Sequence, residues 1–260
     1  MPGPTIPGAQ STKGPRIAIL NNIPSALVTT PTGNDSFIAA LSTACPSARL
    51  DFFDPIDAQE YPADCGADYD LIILSGGTAD INAPEPWVLK MLDFVTECVR
   101  RRAETGGKGA PKMMGVCWGH QAVHVALGGR MEMRSDEEGP EMGVTTIGLT
   151  PEGTSFFDFA AEKKSFDIHE FHKRQIASLA PGFVPLAEQN QCTVSNDNSI
   201  LTFQGHPEMS AKLAQSFLAN AKSYTKDMSK GDLKETAKRM EREHDGAAIL
   251  QRVLRWVGEE

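Results

Sequence analysis

The chain has 260 residues, 40% of them hydrophobic and 23% charged, with 25 basic side chains against 34 acidic ones for a net charge of -9. This is the composition of a soluble globular protein, and it excludes collagen-like, disordered and membrane-spanning classes. Nine basic and eight acidic side chains fall in 221–260, so the first 220 residues carry -10; such a body repels phosphate backbones and anionic lipid, and no nucleic-acid or membrane partner is expected.

Residues 1–15, rich in Pro and Gly, read as a flexible leader, with neither the charged start nor the apolar core of a secretory signal. The five cysteines (Cys45, Cys65, Cys98, Cys117, Cys192) form no CxxC pair. Together these features predict a reducing, cytoplasmic location. Asn34-Asp35-Ser36 matches a glycosylation sequon, read here as a chance match in a polar loop.

A buried strand is predicted at 16–20 and a helix at 36–45, closed by Pro46. Strands follow at 48–54 and 70–75, the second a continuous apolar run that ends in Gly76-Gly77 and implies burial on both faces. Apolar residues at helical spacing mark a helix over 86–102, and a strand at 112–116 leads through Cys117 into a helix over 119–127. This alternation predicts an α/β fold: a doubly wound, mostly parallel central sheet with flanking helices. Strand-like segments at 131–134, 145–150, 166–171 and 183–188 and a hairpin, 192–195 with 200–204, predict a partly antiparallel extension. Helices are expected over 210–225 and 232–257, the latter amphipathic.

Gly115-Val-Cys-Trp-Gly-His-Gln121 places a cysteine where a buried strand meets a helix, with glycines two residues away on each side. A nucleophile elbow requires this: the nucleophile sits on a sharp turn, and small neighbours let strand and helix approach. The helix N-terminus favours thiolate at Cys117, and the amide of Trp118 can donate to an oxyanion. In Phe203-Gln-Gly-His-Pro-Glu208, residues 206 and 208 of an extended backbone point to one side. His206 can then take the thiol proton while Glu208 holds its other ring nitrogen. Gly76-Gly77 would supply a second oxyanion donor at a strand's C-terminal end. His120 and His124 lack the intervening Glu of a zinc-binding HExxH and are assigned to packing, so no metal or cofactor is expected; His169 is read as structural and His244 as lying on a solvated face.

With these motifs in order, residues 16–220 resemble the class I (triad) glutamine amidotransferase family, whose fold is flavodoxin-like. The resemblance implies Cys117 as nucleophile, His206 as base, Glu208 as third member, an oxyanion hole at Gly77 and Trp118, and Gly76 and Gln121 near the glutamyl substrate. Glu141-Met-Gly143 and Ile168-His-Glu-Phe-His172 resemble its stand-alone branch, which includes fungal amidotransferases and plant γ-glutamyl peptidases, and imply a substrate contact at His172. Lys173-Arg174-Gln175 departs from that pattern, where an acidic residue is common. The implied domain is 16–225, with 226–260 as a helical extension beyond the family core. The implied ligand is a small γ-glutamyl compound (glutamine, glutathione or a conjugate), cleaved either by a self-sufficient hydrolase or by a glutaminase serving a separate synthetase or a homo-oligomer. A non-catalytic docking protein of the same fold is the rival reading. Specificity is expected from the flanking loops 79–82 and 134–139.

Overall fold

A computed structural model describes residues 14–25, 32–82 and 85–259; most of the expected leader lies outside them. Strand β1 (Arg16–Asn22) is followed by helix α1 (Gly33–Ala44), β2 (Arg49–Phe53), β3 (Leu71–Gly77), α2 (Pro86–Thr105), β4 (Lys112–Val116) and α3 (Trp118–Ala126). The second half continues with β5 (Arg130–Met133), β6 (Glu141–Gly148), α4 (Pro151–Phe156), β7 (Ser165–His172), β8 (Arg174–Ser178), β9 (Phe183–Pro185), β10 (Cys192–Ser195) and β11 (Ile200–Phe203). Helices α5 (Ala211–Asn220), α6 (Lys222–Thr225), α7 (Lys230–Arg239) and α8 (Gly246–Val257) complete the chain.

The main sheet has the order β2-β1-β3-β4-β11-β10-β9. Its first five strands pair in parallel, while β9 and β10 add the antiparallel extension. Along β1, Ile17 and Ile19 face the core beneath α1 and α8, and Ala18 and Leu20 face the core beneath α2 and α3. Burial on both faces is why the parallel strands read as apolar runs rather than alternating ones.

Four second-half strands do not extend this sheet. β5 pairs with β8, a strand not anticipated from its mixed sequence, and β6 pairs with β7, as two separate antiparallel ribbons. β6 begins at Glu141, so the Glu141-Met-Gly segment lies within the strand rather than before it. Asn34-Asp35-Ser36 occupies the first turn of α1, capped by Thr32, and not a loop.

The two helices expected over 210–225 and 232–257 are each divided. α5 and α6 bend at Ala221 (φ -85°, ψ 60°). α7 and α8 are separated by a loop that docks on β7, where Asp245 accepts from Asp167 N at 2.8 Å and donates its own N–H to Asp167 O at 2.7 Å. α8 packs on its own domain: Ile249, Leu250, Val253 and Trp256 are fully buried with Ile17, Leu71 and Met114. The segment expected to lie beyond the family core thus fills part of the main core. Among the described residues no helix is long and apolar enough to cross a membrane.

Candidate active site

Three neighbouring parallel strands, β3, β4 and β11, end side by side and deliver Gly76-Gly77, Cys117 and the His206-Pro-Glu208 segment. The register carries past the strand ends, where Cys117 N donates to Phe203 O at 2.8 Å. Ligands of open parallel sheets collect at this edge.

Cys117 has φ 49° and ψ -99°, outside the regions ordinary residues occupy, at the junction of β4 and α3. Such a backbone costs about 1–3 kcal/mol and persists only where its surroundings impose it. Here they do: a Cβ on Gly119 would lie 2.2 Å from Leu74 O, and one on Gly115 would lie 2.7 Å from Gly119 O. Both glycines are therefore required for α3 to start hard against β3 and β4. Trp118 opens α3, so its N–H has no partner within the helix. Its indole is buried, donates to Ala79 O at 3.1 Å and stacks on Trp87 with ring centres 5.0 Å apart.

His206 and Glu208 are 5% and 6% exposed, and the His206 Nδ1–H donates to Glu208 Oε1 at 2.8 Å. The backbone of His206 is fixed from the other side, its N–H donating to His169 O at 2.8 Å. Burial works against a charge on His206, but the neighbouring Glu208 carboxylate and Cys117 sulfur together hold its pKa well above the usual histidine range. With Nδ1 committed to Glu208, Nε2 is the nitrogen left for Cys117. Gly76 lies against the imidazole so closely that a Cβ there would be 2.7 Å from Cε1.

Cys117, His206, Glu208, Gly76 and Gly77 all line one cavity of about 400 Å³. Its other walls include Asn21 of β1 and Ile23 just after it, Asn34 and Phe37 of α1, Phe171 and Lys173 at the β7 end, and Leu213, Phe217 and Tyr224 of α5 and α6.

Two residues expected at the substrate are placed otherwise. His172, 2% exposed, does not line the cavity: along β7 its neighbours Phe171 and Lys173 face the cavity, while Glu170 and His172 point to the opposite side. There Nδ1 of His172 donates to Arg174 O at 2.9 Å, and Nε2 lies 3.2 Å from Glu170 and 3.4 Å from Glu141. Burial alone would lower its pKa, yet the two carboxylates raise it to about 10, so an imidazolium sits between them. Arg134 closes the cluster, 3.1 Å from Glu141. Gln121 likewise is buried outside the cavity lining, its Nε2 donating to Arg174 O and Gln204 Oε1.

The loops expected to set specificity also serve structure. Ile81 is core, Asp80 pairs with Arg174 at 3.3 Å, and Arg134 belongs to the buried cluster. His120 and His124 are buried, their rings held by Thr202 and Thr193 at 2.8 and 3.0 Å. His244 is not on a solvated face: it is partly buried, packed against His169 with ring centres 4.6 Å apart. The walls at Phe171, Phe217 and Tyr224 were not anticipated, because each reads locally as an ordinary core aromatic.

Comparison with known proteins identifies the family. The family profile described as "Glutamine amidotransferase class-I" matches residues 44–223. The chain is 36% identical over 226 residues to the glutamine amidotransferase-like protein chyE of Penicillium rubens, covering 86% of this chain and 89% of that one. It is 25% identical over 169 residues to gamma-glutamyl peptidase 2 of Arabidopsis thaliana, covering 64% of each. Among solved structures, a glutamine amidotransferase from Thermotoga maritima superposes with TM-score 0.69 at 18% identity, over 94% of this chain and 98% of that one, a likeness of fold.

Proposed function

This chain belongs to the class-I glutamine amidotransferase family, and from that premise we propose that it is a cysteine hydrolase of γ-glutamyl amide or peptide bonds. The observation that carries the reading is the convergence of Cys117, the His206–Glu208 pair and Gly76-Gly77 on one cavity at the ends of three adjacent strands.

In this reading the Cys117 thiol gives its proton to Nε2 of His206, and the sulfur attacks the γ-carbonyl carbon. Glu208 holds the ring through Nδ1 and stabilises the imidazolium that results. The amides of Gly77 and Trp118 receive the developing oxyanion, the latter an unspent helix N-terminal donor. As the C–N bond breaks, His206 returns the proton to the departing amine, leaving a γ-glutamyl thioester. Water then adds its hydroxyl to the carbonyl carbon and its proton to His206, the C–S bond breaks, and the proton restores the thiol. The products are glutamate and the free amine. Gly76 packs the base in place, while Gln121 and the His172 cluster support the site from behind it rather than by direct contact.

The test is glutamate release by wild type and Cys117→Ala with glutamine, glutathione and a glutathione S-conjugate as parallel substrates. Release from the peptides, abolished in the variant, is expected. Release from glutamine alone would instead make the protein a glutaminase for a separate ammonia acceptor, and release undiminished in Cys117→Ala would remove the mechanism.

A further inference from the structure

We propose that the cavity wall formed by Phe171, Lys173, Phe217 and Tyr224 is a subsite for the departing amine, and that it takes amines carrying both an aromatic ring and a carboxylate. This rests on the hydrolase reading above and specifies its substrate class.

Position comes first. The leaving nitrogen must be protonated by His206, so the amine half of the substrate extends along the flank of that residue. This flank is β7, joined to His206 through His169 O, and the cavity-facing residues that continue it are Phe171 and Lys173. Helices α5 and α6 complete the wall, and the bend at Ala221 is what returns Tyr224 to face Phe171.

The chemistry of the wall is specific. The Phe171 ring touches both Phe217, at 5.6 Å and 67°, and Tyr224, at 5.0 Å and 36°. An aromatic ligand would join this cluster with the offset or edge geometry such rings prefer. Lys173 holds its ammonium 5.2 Å from the Tyr224 ring centre, and among the described residues no carboxylate pairs with it. In a chain of net charge -9, a cation left facing a cavity without an acidic partner is suited to an anion brought by the ligand. Lys222 adds a second, exposed cation at the rim. Ammonia leaving from glutamine would use none of this, and cysteinylglycine would bring the carboxylate without the ring.

The experiment compares kcat/KM for γ-glutamylphenylalanine, γ-glutamylphenethylamine (ring without carboxylate), γ-glutamylalanine (carboxylate without ring) and glutamine. The reaction in each case is addition of water across the γ-amide, giving glutamate and the amine. For wild type, γ-glutamylphenylalanine is expected to exceed each of the two truncated substrates about tenfold, the worth of one charge-assisted contact or one buried ring. In Lys173→Met the phenylalanine-to-phenethylamine ratio should collapse towards one while the phenylalanine-to-alanine ratio persists. Tyr224→Ala should do the reverse. Because each ratio is taken within one variant, partial loss of folded protein cancels. Equal kcat/KM for the three amides in wild type would overturn the subsite, as would a Lys173→Met effect equal on all of them, which would assign the ammonium to the glutamyl α-carboxylate. Cleavage of glutamine and γ-glutamylalanine without the ring preference would sink this inference alone, whereas no glutamate from any of the four would overturn the hydrolase reading with it.

Discussion

Gly76→Ala offers a sharp test of how the base is held. The new methyl carbon would lie 2.7 Å from Cε1 of His206 and 3.6 Å from each ring nitrogen. Carbon atoms pack at about 3.5–4.0 Å, so the ring must retreat by about 1 Å. It has little room: it is 5% exposed, its backbone is tied to His169 O, and Nδ1 is 2.8 Å from Glu208. A retreat of that size stretches the Glu208 hydrogen bond past its useful range of about 3.2 Å or draws Nε2 off the Cys117 sulfur. Misplacement by about 1 Å costs on the order of 10²-fold in rate, and overpacking costs about 1–3 kcal/mol, a fall in Tm of roughly 2–6 °C. Glutamate release and a thermal melt measured together should therefore show kcat reduced about a hundredfold in a protein that still folds. Wild-type kcat in a folded variant would refute the packing of Gly76 on the base.

Cys117→Gly should abolish turnover yet raise Tm by about 1–5 °C, because relief of a φ of 49° that costs cysteine about 1–3 kcal/mol outweighs the roughly 0.5–1 kcal/mol of chain entropy that glycine adds; an unchanged or lower Tm would show that the turn is not strained. His172 has a pKa raised to about 10 between Glu141 and Glu170, so its stabilisation is complete below about 6.5, the unfolded value, and is lost as pH rises through 10. His172→Gln should lower stability by about 3–5 kcal/mol at pH 7, because the buried Glu170 loses its cation while Glu141 keeps only Arg134, and should flatten the alkaline fall in Tm; parallel pH curves for variant and wild type would contradict the assignment. Lys112 behaves oppositely: burial lowers its pKa to about 8, so it weakens the fold below that pH and the loss is relieved as pH rises from about 8 towards about 10.4. Comparing melts of Lys112→Met and wild type across that window should show the difference between them changing with pH, and a constant difference would exclude the effect.

The residues that meet at the cavity, Cys117, His206, Glu208 and Gly76-Gly77, were legible in the sequence because the steps proposed for them need particular residue types at fixed spacing. A nucleophile on a tight strand-to-helix turn demands the small neighbours Gly115 and Gly119, whose added methyls would strike backbone atoms. A base and its orienting acid two residues apart on extended chain occur as His206 and Glu208, directly after the strand that neighbours the one leading to Cys117. The parallel strands were legible for a related reason, since burial on both faces removes polar residues from them. The cavity walls were not, because Phe171, Phe217 and Tyr224 converge from separate elements, and the bend at Ala221 that brings the last two together has no Pro or Gly to announce it. A one-residue step along a strand exchanges its two faces, which the sequence did not resolve at this point: Lys173, read only as a departure from the family pattern, lines the cavity, and His172 pairs with the buried carboxylates.

Acid quenching during turnover of γ-glutamylphenylalanine, followed by peptide mass analysis, tests the central claim most directly. One γ-glutamyl group on the peptide bearing Cys117, absent from Cys117→Ala together with glutamate release, is the expected result. Glutamate released at the wild-type rate by Cys117→Ala, with no adduct on Cys117 in either protein, would contradict the account.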